Sequence, residues 1–268
     1  MSAPRIEVRS ALLVSDSHLH EAQPALTQRF CEWITRACTA GPCPPETTAP
    51  DALLILGDLF DAWVGDDQLT AVAHSTGQQV VAALAAIERT GVRVYLMHGN
   101  RDFLLGADMA RACGAQLLED PSVMQVDNGP AVVLTHGDQL CTEDHAYQQF
   151  RNQVRSAAWQ QQFLAKPLAE RLTIARELRE QSEQAKSGKP MTIMDVTPRD
   201  CELLIQRLDA DMLLHGHTHR PGCSTLPNGK VRWVLPDWEM DAQGQLKRGG
   251  GLWVDATGVR PVDGSTPH

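Results

Sequence analysis

Seven side chains able to hold a metal sit in short polar strings: Asp16 and His18 in Asp-x-His, Asp58 in Gly-Asp-x-x-Asp, Asn100 in Gly-Asn-x-Asp, His136 ahead of Gly-Asp, and His217 and His219 in Gly-His-x-His. Singly these strings say little, because Asp-x-His arises by chance and a Gly-Asp pair is commonly only a turn. Brought to one place, so many carboxylates and imidazoles would repel or stay unpaired unless a cation held them. Two divalent ions are the simplest account, since ions about 3.5–4 Å apart clamp a phosphate, activate a water and neutralise developing charge. No cysteine belongs to the set, which disfavours thiolate zinc and favours Mn2+, Fe2+ or a hydrolytic Zn2+.

Each string follows a short apolar run that reads as a buried strand, at 11–14, 51–56, 92–97, 131–134 and 212–214. Between the early runs the spacing turns helical, with Leu26, Phe30, Trp33, Ile34 and Ala37 on one face and an Ala/Val-rich helix over 76–90. Strands that deliver polar residues from their C-terminal ends, with helices between them, are where open α/β sheets carry their sites. The Pro-rich stretch Gly41 to Pro50 predicts a surface loop. After His219 the chain shortens into strands and turns, with Pro227-Asn228-Gly229-Lys230 as a hairpin signal, and a second sheet packed on the first is expected there.

Residues 139–199 break this rhythm, being long, helical in pattern and poor in strand signals. The predicted organisation is therefore an α/β core from 1–138 and 200–268 with a helical cap insertion at 139–199. Pro167 suits the first turn of a cap helix whose Leu168, Leu172, Ala175 and Leu178 form an apolar stripe. Residues 151–190 hold eight Lys and Arg against four acids, as a cap offering basic and apolar groups to an anionic, greasy ligand or a membrane surface would.

Composition closes off several classes. The 268 residues are 43% hydrophobic, enough for one large core and an appendage, and no apolar run approaches the roughly 18 residues of a membrane span. The first residues lack the basic and apolar regions of a secretory signal, so a cytoplasmic location is expected. Seven scattered cysteines without a CxxC pair predict reduced thiols, and a net charge of −9 argues against a nucleic-acid binder.

The order D-x-H, G-D-x-x-D, G-N-x-D, H, G-H-x-H resembles the calcineurin-like metallophosphoesterase superfamily. More narrowly, Gly57 to Asp67, His98 to Gly106, His136 to Thr142, Met194-Asp-Val196 and His215 to Pro221 resemble the family of UDP-2,3-diacylglucosamine pyrophosphohydrolases of lipid A biosynthesis, over about Ala11 to Trp238. The resemblance implies that Asp16, His18 and His219 bind one metal, that Asn100, His136 and His217 bind the other, and that Asp58 bridges them. It implies a four-layer α/β/β/α sandwich under a helical cap, two Mn2+ per chain, and Asp58, Asn100, Arg101 and His217 as catalytic residues. The implied substrate is a UDP-linked diacylated glucosamine, cleaved by activated water at the UMP-side phosphorus by a monomer docked peripherally on the cytoplasmic face of the inner membrane. Asn100, Arg101, Asp144, Ser182, Lys186, Lys189 and His217 are the implied substrate contacts, although Lys186 stands where the family has Asn. Trp159, Phe163, Leu164, Leu168 and Leu172 would line an acyl-chain pocket or pack the cap.

Arg101 stands where most of the superfamily has a histidine that aids the leaving group. Arginine is too weak an acid to protonate anything, but its planar fork suits a phosphate. A pyrophosphate needs no such acid, because its leaving group is a phosphate monoester with a second pKa of about 6. Asp61 and Asp102 read as orienters of loops and ligands. The stretches Gly41 to Pro50, Leu235 to Trp238 and Gly249 to Gly251 depart from the family and are expected not to touch the ligand set.

Overall fold

The structure, a computed structural model, describes residues 3–40, 48–71, 75–187 and 195–264. Strands β1 (Arg5–Val8) and β2 (Ser10–Val14) lead into α1 (Pro24–Ala40), β3 (Ala52–Leu56), α2 (Ser75–Glu88), β4 (Arg93–Met97), α3 (Ala107–Ala112) and β5 (Ala115–Leu118). Strands β6 (Ser122–Val126) and β7 (Ala131–Thr135) precede helices α4 (His145–Val154), α5 (Ala157–Leu164), α6 (Leu168–Ser187) and α7 (Pro198–Arg207). The remainder is β8 (Met212–His215), β9 (Gly222–Thr225), β10 (Val231–Val234), β11 (Glu239–Met240), β12 (Leu246–Arg248), β13 (Gly250–Asp255) and β14 (Gly258–Asp263). The five predicted strands are β2, β3, β4, β7 and β8, each end within one residue of expectation. Of the stretch Gly41 to Pro50, residues 41–47 lie outside the described residues.

Two six-stranded sheets form, in the orders β14-β13-β2-β3-β4-β5 and β1-β6-β7-β8-β10-β9, beside the two-stranded β11–β12. This corrects the sequence reading: the second sheet is not built from the strands after His219 alone, because β7 and β8 already belong to it. An apolar run says that a strand is buried on both faces but not which sheet it joins. The Pro-Asn-Gly-Lys signal is the β9–β10 hairpin, antiparallel with Val231 opposite Thr225.

Alternation of side chains sorts the strands' residues into layers. Leu53 and Ile55 of β3 face outward onto Phe30 and Ile34 of α1 and Val80 and Leu84 of α2. Leu54 and Leu56 face inward against Met124, Val132, Leu134 and Leu214 of the other sheet. The far face of that sheet, through Val123, Val133 and Leu213, is covered by Cys201, Leu204 and Ile205 of α7. The result is the expected four layers, helix, sheet, sheet, helix, with each fully buried Leu or Ile contributing about 1.5–3 kcal/mol by leaving water. Helices α5 and α6 pack over the core through a smaller cluster of Val64, Leu104 and Phe163 joined by Trp159, Leu168 and Leu172. Among the described residues no helix is long and apolar enough to cross a membrane.

Candidate metal centre

The seven donors converge where the C-terminal ends of both sheets meet. Asp16, Asp58 and Asn100 follow β2, β3 and β4 of one sheet, while His136, His217 and His219 follow β7 and β8 of the other. Backbone bonds lock the loops together: Asp16 N–H donates to Gly57 O at 3.1 Å, His18 N–H to Asp58 O at 2.9 Å, and Gly216 N–H to His136 O at 3.0 Å. A bond across the sheets joins the halves, from His217 N–H to Asp16 Oδ2 at 2.9 Å. Asp16, His18, Asp58, His217 and His219 all adopt positive φ, between 46° and 67°. Left-handed backbone in five non-glycine residues is strain that the surrounding structure must over-determine, and such strain gathers at functional sites. Gly99 is required by contact, since a Cβ there would lie 2.1 Å from Asp58 Oδ1.

Among the described residues two groups of carboxylate and imidazole donors are compact enough for an ion, Asp16 with His18 and His219, and Asp16 with Asp58 and His136. His18 Nε2 and His219 Nε2 are 3.1 Å apart, and His219 Nε2 is 3.5 Å from Asp16 Oδ1. Asn100 Oδ1 sits 3.1 Å from His136 Nε2 and 2.8 Å from His217 Nδ1. His136 is wholly buried with Nδ1–H donating to Leu56 O at 2.9 Å, so both ring nitrogens face oxygens and a neutral ring satisfies only one. Asp16 Oδ1 and His18 Nδ1 are buried with no hydrogen-bond partner. Asp16 Oδ1 faces His219 Nε2 at 3.5 Å and His18 Nδ1 faces Asp58 Oδ2 at 3.8 Å. Buried polar atoms left without hydrogen bonds among other donors are what a metal-binding set leaves behind, and the N/O set suits hard or borderline divalent ions.

The protonation pattern says the same. Burial, with Asp102 and Asp16 adding repulsion, lifts the Asp58 carboxyl to about 7. Burial pulls His136 the other way, but Asp58, Asp16 and Asp138 outweigh it and carry the imidazole up to about 9. Burial takes His18 down to about 3, Asp16 opposing and His219 and Arg101 assisting. Crowding of these buried carboxylates and imidazoles thus moves Asp58, His136 and His18 all away from their ordinary values.

A family model described as calcineurin-like phosphoesterase matches residues 10–221, the stretch that carries all seven donors. The chain belongs to the calcineurin-like phosphoesterase family. As a phosphoesterase it has close relatives over nearly its whole length. The UDP-2,3-diacylglucosamine hydrolase of Bordetella pertussis is 43% identical over 254 residues, covering 94% of this chain and 93% of the relative. The protein of the same name from Chromohalobacter salexigens is 42% identical over 232 residues, covering 85% and 89%. That of Xanthomonas axonopodis pv. citri is 40% identical over 260 residues, covering 93% and 97%. The resemblance read from the motif strings is borne out.

Beside this phosphoesterase site lies a cleft of about 300 Å3, reaching from Asn100 and Arg101 under α4, α5 and α6. Its lining mixes Arg101, Arg151, Arg155 and Arg179, Asp61 and Asp138 with the rings of Trp63, Phe103, Phe150, Trp159 and Phe163, and the Arg155 guanidinium lies over the Phe103 ring at 5.6 Å. Trp159 and Phe163 thus line the cleft, stacked at 4.7 Å, while Leu168 and Leu172 of α6 pack against the cluster of Val64, Leu104 and Phe163 and Leu164 is exposed. The side chains of Ser182 and Lys186, and Lys189 and Met194, lie outside the described residues. Asp144 caps α4, accepting from Tyr147 N–H at 3.1 Å, and does not line the cleft. Asp61 pairs with Arg179 of α6. Asp102, wholly buried, accepts backbone N–H groups of Asp58, Leu59, Phe60 and Gly99, which makes it the organiser of two ligand loops.

Two features escaped the sequence. Asp138, buried beside His136, accepts from Tyr147 Oη–H at 2.7 Å and Arg151 Nε–H at 2.8 Å, tying α4 to the site. Its place in His136-Gly-Asp was the available signal. The second corrects an expectation: Leu235 to Trp238 does touch the ligand set. Trp238 N–H donates to Asp16 O at 3.0 Å, and Asp237 Oδ2 lies 3.4 Å from His219 Nδ1. No spacing rule predicts it, because β10 must pair with β8 before the segment arrives there.

Proposed function

We propose that the chain hydrolyses the pyrophosphate bond of UDP-2,3-diacylglucosamine, giving UMP and 2,3-diacylglucosamine 1-phosphate, a step of lipid A biosynthesis. The observation that carries the reading is one continuous site: a two-ion donor set that adjoins, at Asn100 and Arg101, a cleft lined by both guanidinium groups and aromatic rings. Such a mixed lining fits a diphosphate joined to acyl chains. Relatives named for hydrolysis of that substrate cover most of the chain.

Asp16, His18 and His219 would hold one ion, Asn100, His136 and His217 the other, and Asp58 both. A bound pair of divalent ions, Mn2+ in this reading, supplies Lewis acidity to the phosphate oxygens and lowers the pKa of a water. The chain does the rest. Arg101 has its backbone N–H on Asp58 Oδ1 at 2.8 Å, so the residue that grips phosphate is built on the bridging carboxylate. Its fork neutralises developing charge and donates no proton, which the phosphate monoester leaving group does not require. Asn100 and His217 meet at 2.8 Å and lie where substrate oxygens and the second ion would compete for them. Residues 139–199 act as the substrate cap, to which Ser182, Lys186 and Lys189 belong as proposed contacts, while Asp144 serves that cap by starting α4. The enzyme works as a monomer at the cytoplasmic face of the inner membrane, where its substrate resides.

The test is UMP release from UDP-2,3-diacylglucosamine by protein stripped with chelator, with and without restored Mn2+, against a deacylated UDP-sugar. Metal-dependent cleavage confined to the acylated substrate is expected. Equal cleavage of both, or of neither, overturns the assignment.

A further inference from the structure

Leu235 N–H donates to His215 O at 2.8 Å, prolonging the β8–β10 pairing and laying residues 236–238 beside the Gly-His-Thr-His loop. There the carboxylate of Asp237, 3% exposed, meets two partners. Arg248 grips both oxygens, Nε–H to Oδ1 at 2.8 Å and Nη2–H to Oδ2 at 2.7 Å. From the other side His219 brings Nδ1 to 3.4 Å from Oδ2, while its Nε2 faces Asp16 Oδ1 and His18 Nε2. Only the acid of this pair is buried, the Arg248 side chain being 37% exposed, and burying a carboxylate is costly without the bonds it makes. The β11–β12 ribbon, with Glu239 opposite Arg248 and ion-paired to it, is too small to stand alone, and its evident product is an aimed Arg248.

We propose that Asp237 is a positioning residue for the ion shared by Asp16, His18 and His219. It takes the Nδ1–H of His219, so that the ring presents an unprotonated Nε2, and Arg248 keeps the carboxylate aimed. His136 receives the same service from the Leu56 carbonyl. The His219 side chain is 40% exposed and has no such burial to fix its orientation, so a carboxylate takes the role and makes the ligand more basic as well. Metal binding at this one position, rather than the fold, is what Asp237 serves. The inference rests on the dimetal reading above but not on the identity of the substrate.

The experiment titrates Mn2+ into chelator-stripped wild-type protein, Asp237→Asn and Arg248→Met, counting free ion by electron paramagnetic resonance, and melts each metal-free protein. Wild type takes up two ions. In Asp237→Asn one of the two weakens by about 10–100-fold while the other stays within about twofold. Its metal-free melting temperature stays close to that of wild type, and Arg248→Met moves the same ion by a smaller factor. Two unchanged affinities in Asp237→Asn overturn the proposal, as does equal weakening of both ions with a fall in metal-free melting temperature in both variants. Wild-type protein that binds two Mn2+ yet releases no UMP refutes the substrate assignment alone.

Discussion

Asp102→Asn isolates the device that holds the ligand loops. The wild-type carboxylate accepts four backbone N–H groups: Asp58 at 3.2 Å and Gly99 at 2.8 Å on Oδ1, Leu59 at 2.8 Å and Phe60 at 3.3 Å on Oδ2. The amide keeps shape and volume but one acceptor, so whichever way it turns, two buried donors face an NH2 group. At about 1–3 kcal/mol for each stranded donor, the loss centres near 4 kcal/mol. For a chain of this size that corresponds to a melting temperature lower by roughly 8–16 °C, at about 2–4 °C per kcal/mol. Calorimetry of the chelator-stripped proteins reads the shift free of metal linkage, and UMP release reads the consequence for Asp58 and Asn100. A variant melting within about 2 °C of wild type would refute the view that this carboxylate organises the loops.

Three further outcomes are expected. Arg101→Ala lowers kcat/KM by about 10²–10³-fold, as loss of one preorganised charge-stabilising donor does, and Arg101→Lys restores only part because an ammonium lacks the fork; equal rates for all three would show that Arg101 does not touch the reacting phosphate. Burial pushes the His215 imidazole down to about 4 from 6.5, so the unfolded chain takes up a proton between those values that the folded chain refuses. Stability from this group is fully present above pH 6.5 and falls by about 3 kcal/mol in all as pH drops to 4, so urea titrations of metal-free protein at pH 7 and 4.5 should show a larger acid loss in wild type than in His215→Gln. Burial pushes the Cys31, Cys38, Cys113, Cys141 and Cys201 thiols up to about 12, while Cys223 is exposed. In a Cys43→Ser background Ellman's reagent at pH 8 should therefore find one fast thiol before denaturation, and several fast thiols would contradict the packing.

Much of the molecule was legible in the chain because its information is local. A strand buried on both faces must be a continuous apolar run, so β2, β3, β4, β7 and β8 could be placed within a residue, and the polar loop at each end followed. Donor chemistry is local too: seven N/O groups and no thiolate specify two hard or borderline ions wherever the loops meet. What stayed hidden is decided by pairing between distant segments. The assignment of β7 and β8 to the second sheet depends on partners as remote as β1, which pairs with β6, and hydrophobicity alone is indifferent between the two sheets. Asp237 reaches His219, and Arg248 reaches Asp237, only after β10 has aligned on β8 and the β11–β12 ribbon has folded back. Arg151, Arg155 and Arg179 face the site because Asp138 holds Arg151, Gly99 O accepts from Arg155 and Asp61 holds Arg179. Side-chain type and spacing therefore determined which chemistry this chain can perform. The orientation of each ligand, and the groups that fix it, arise from hydrogen bonds and ion pairs between segments far apart in sequence, which exist only once the two sheets have packed.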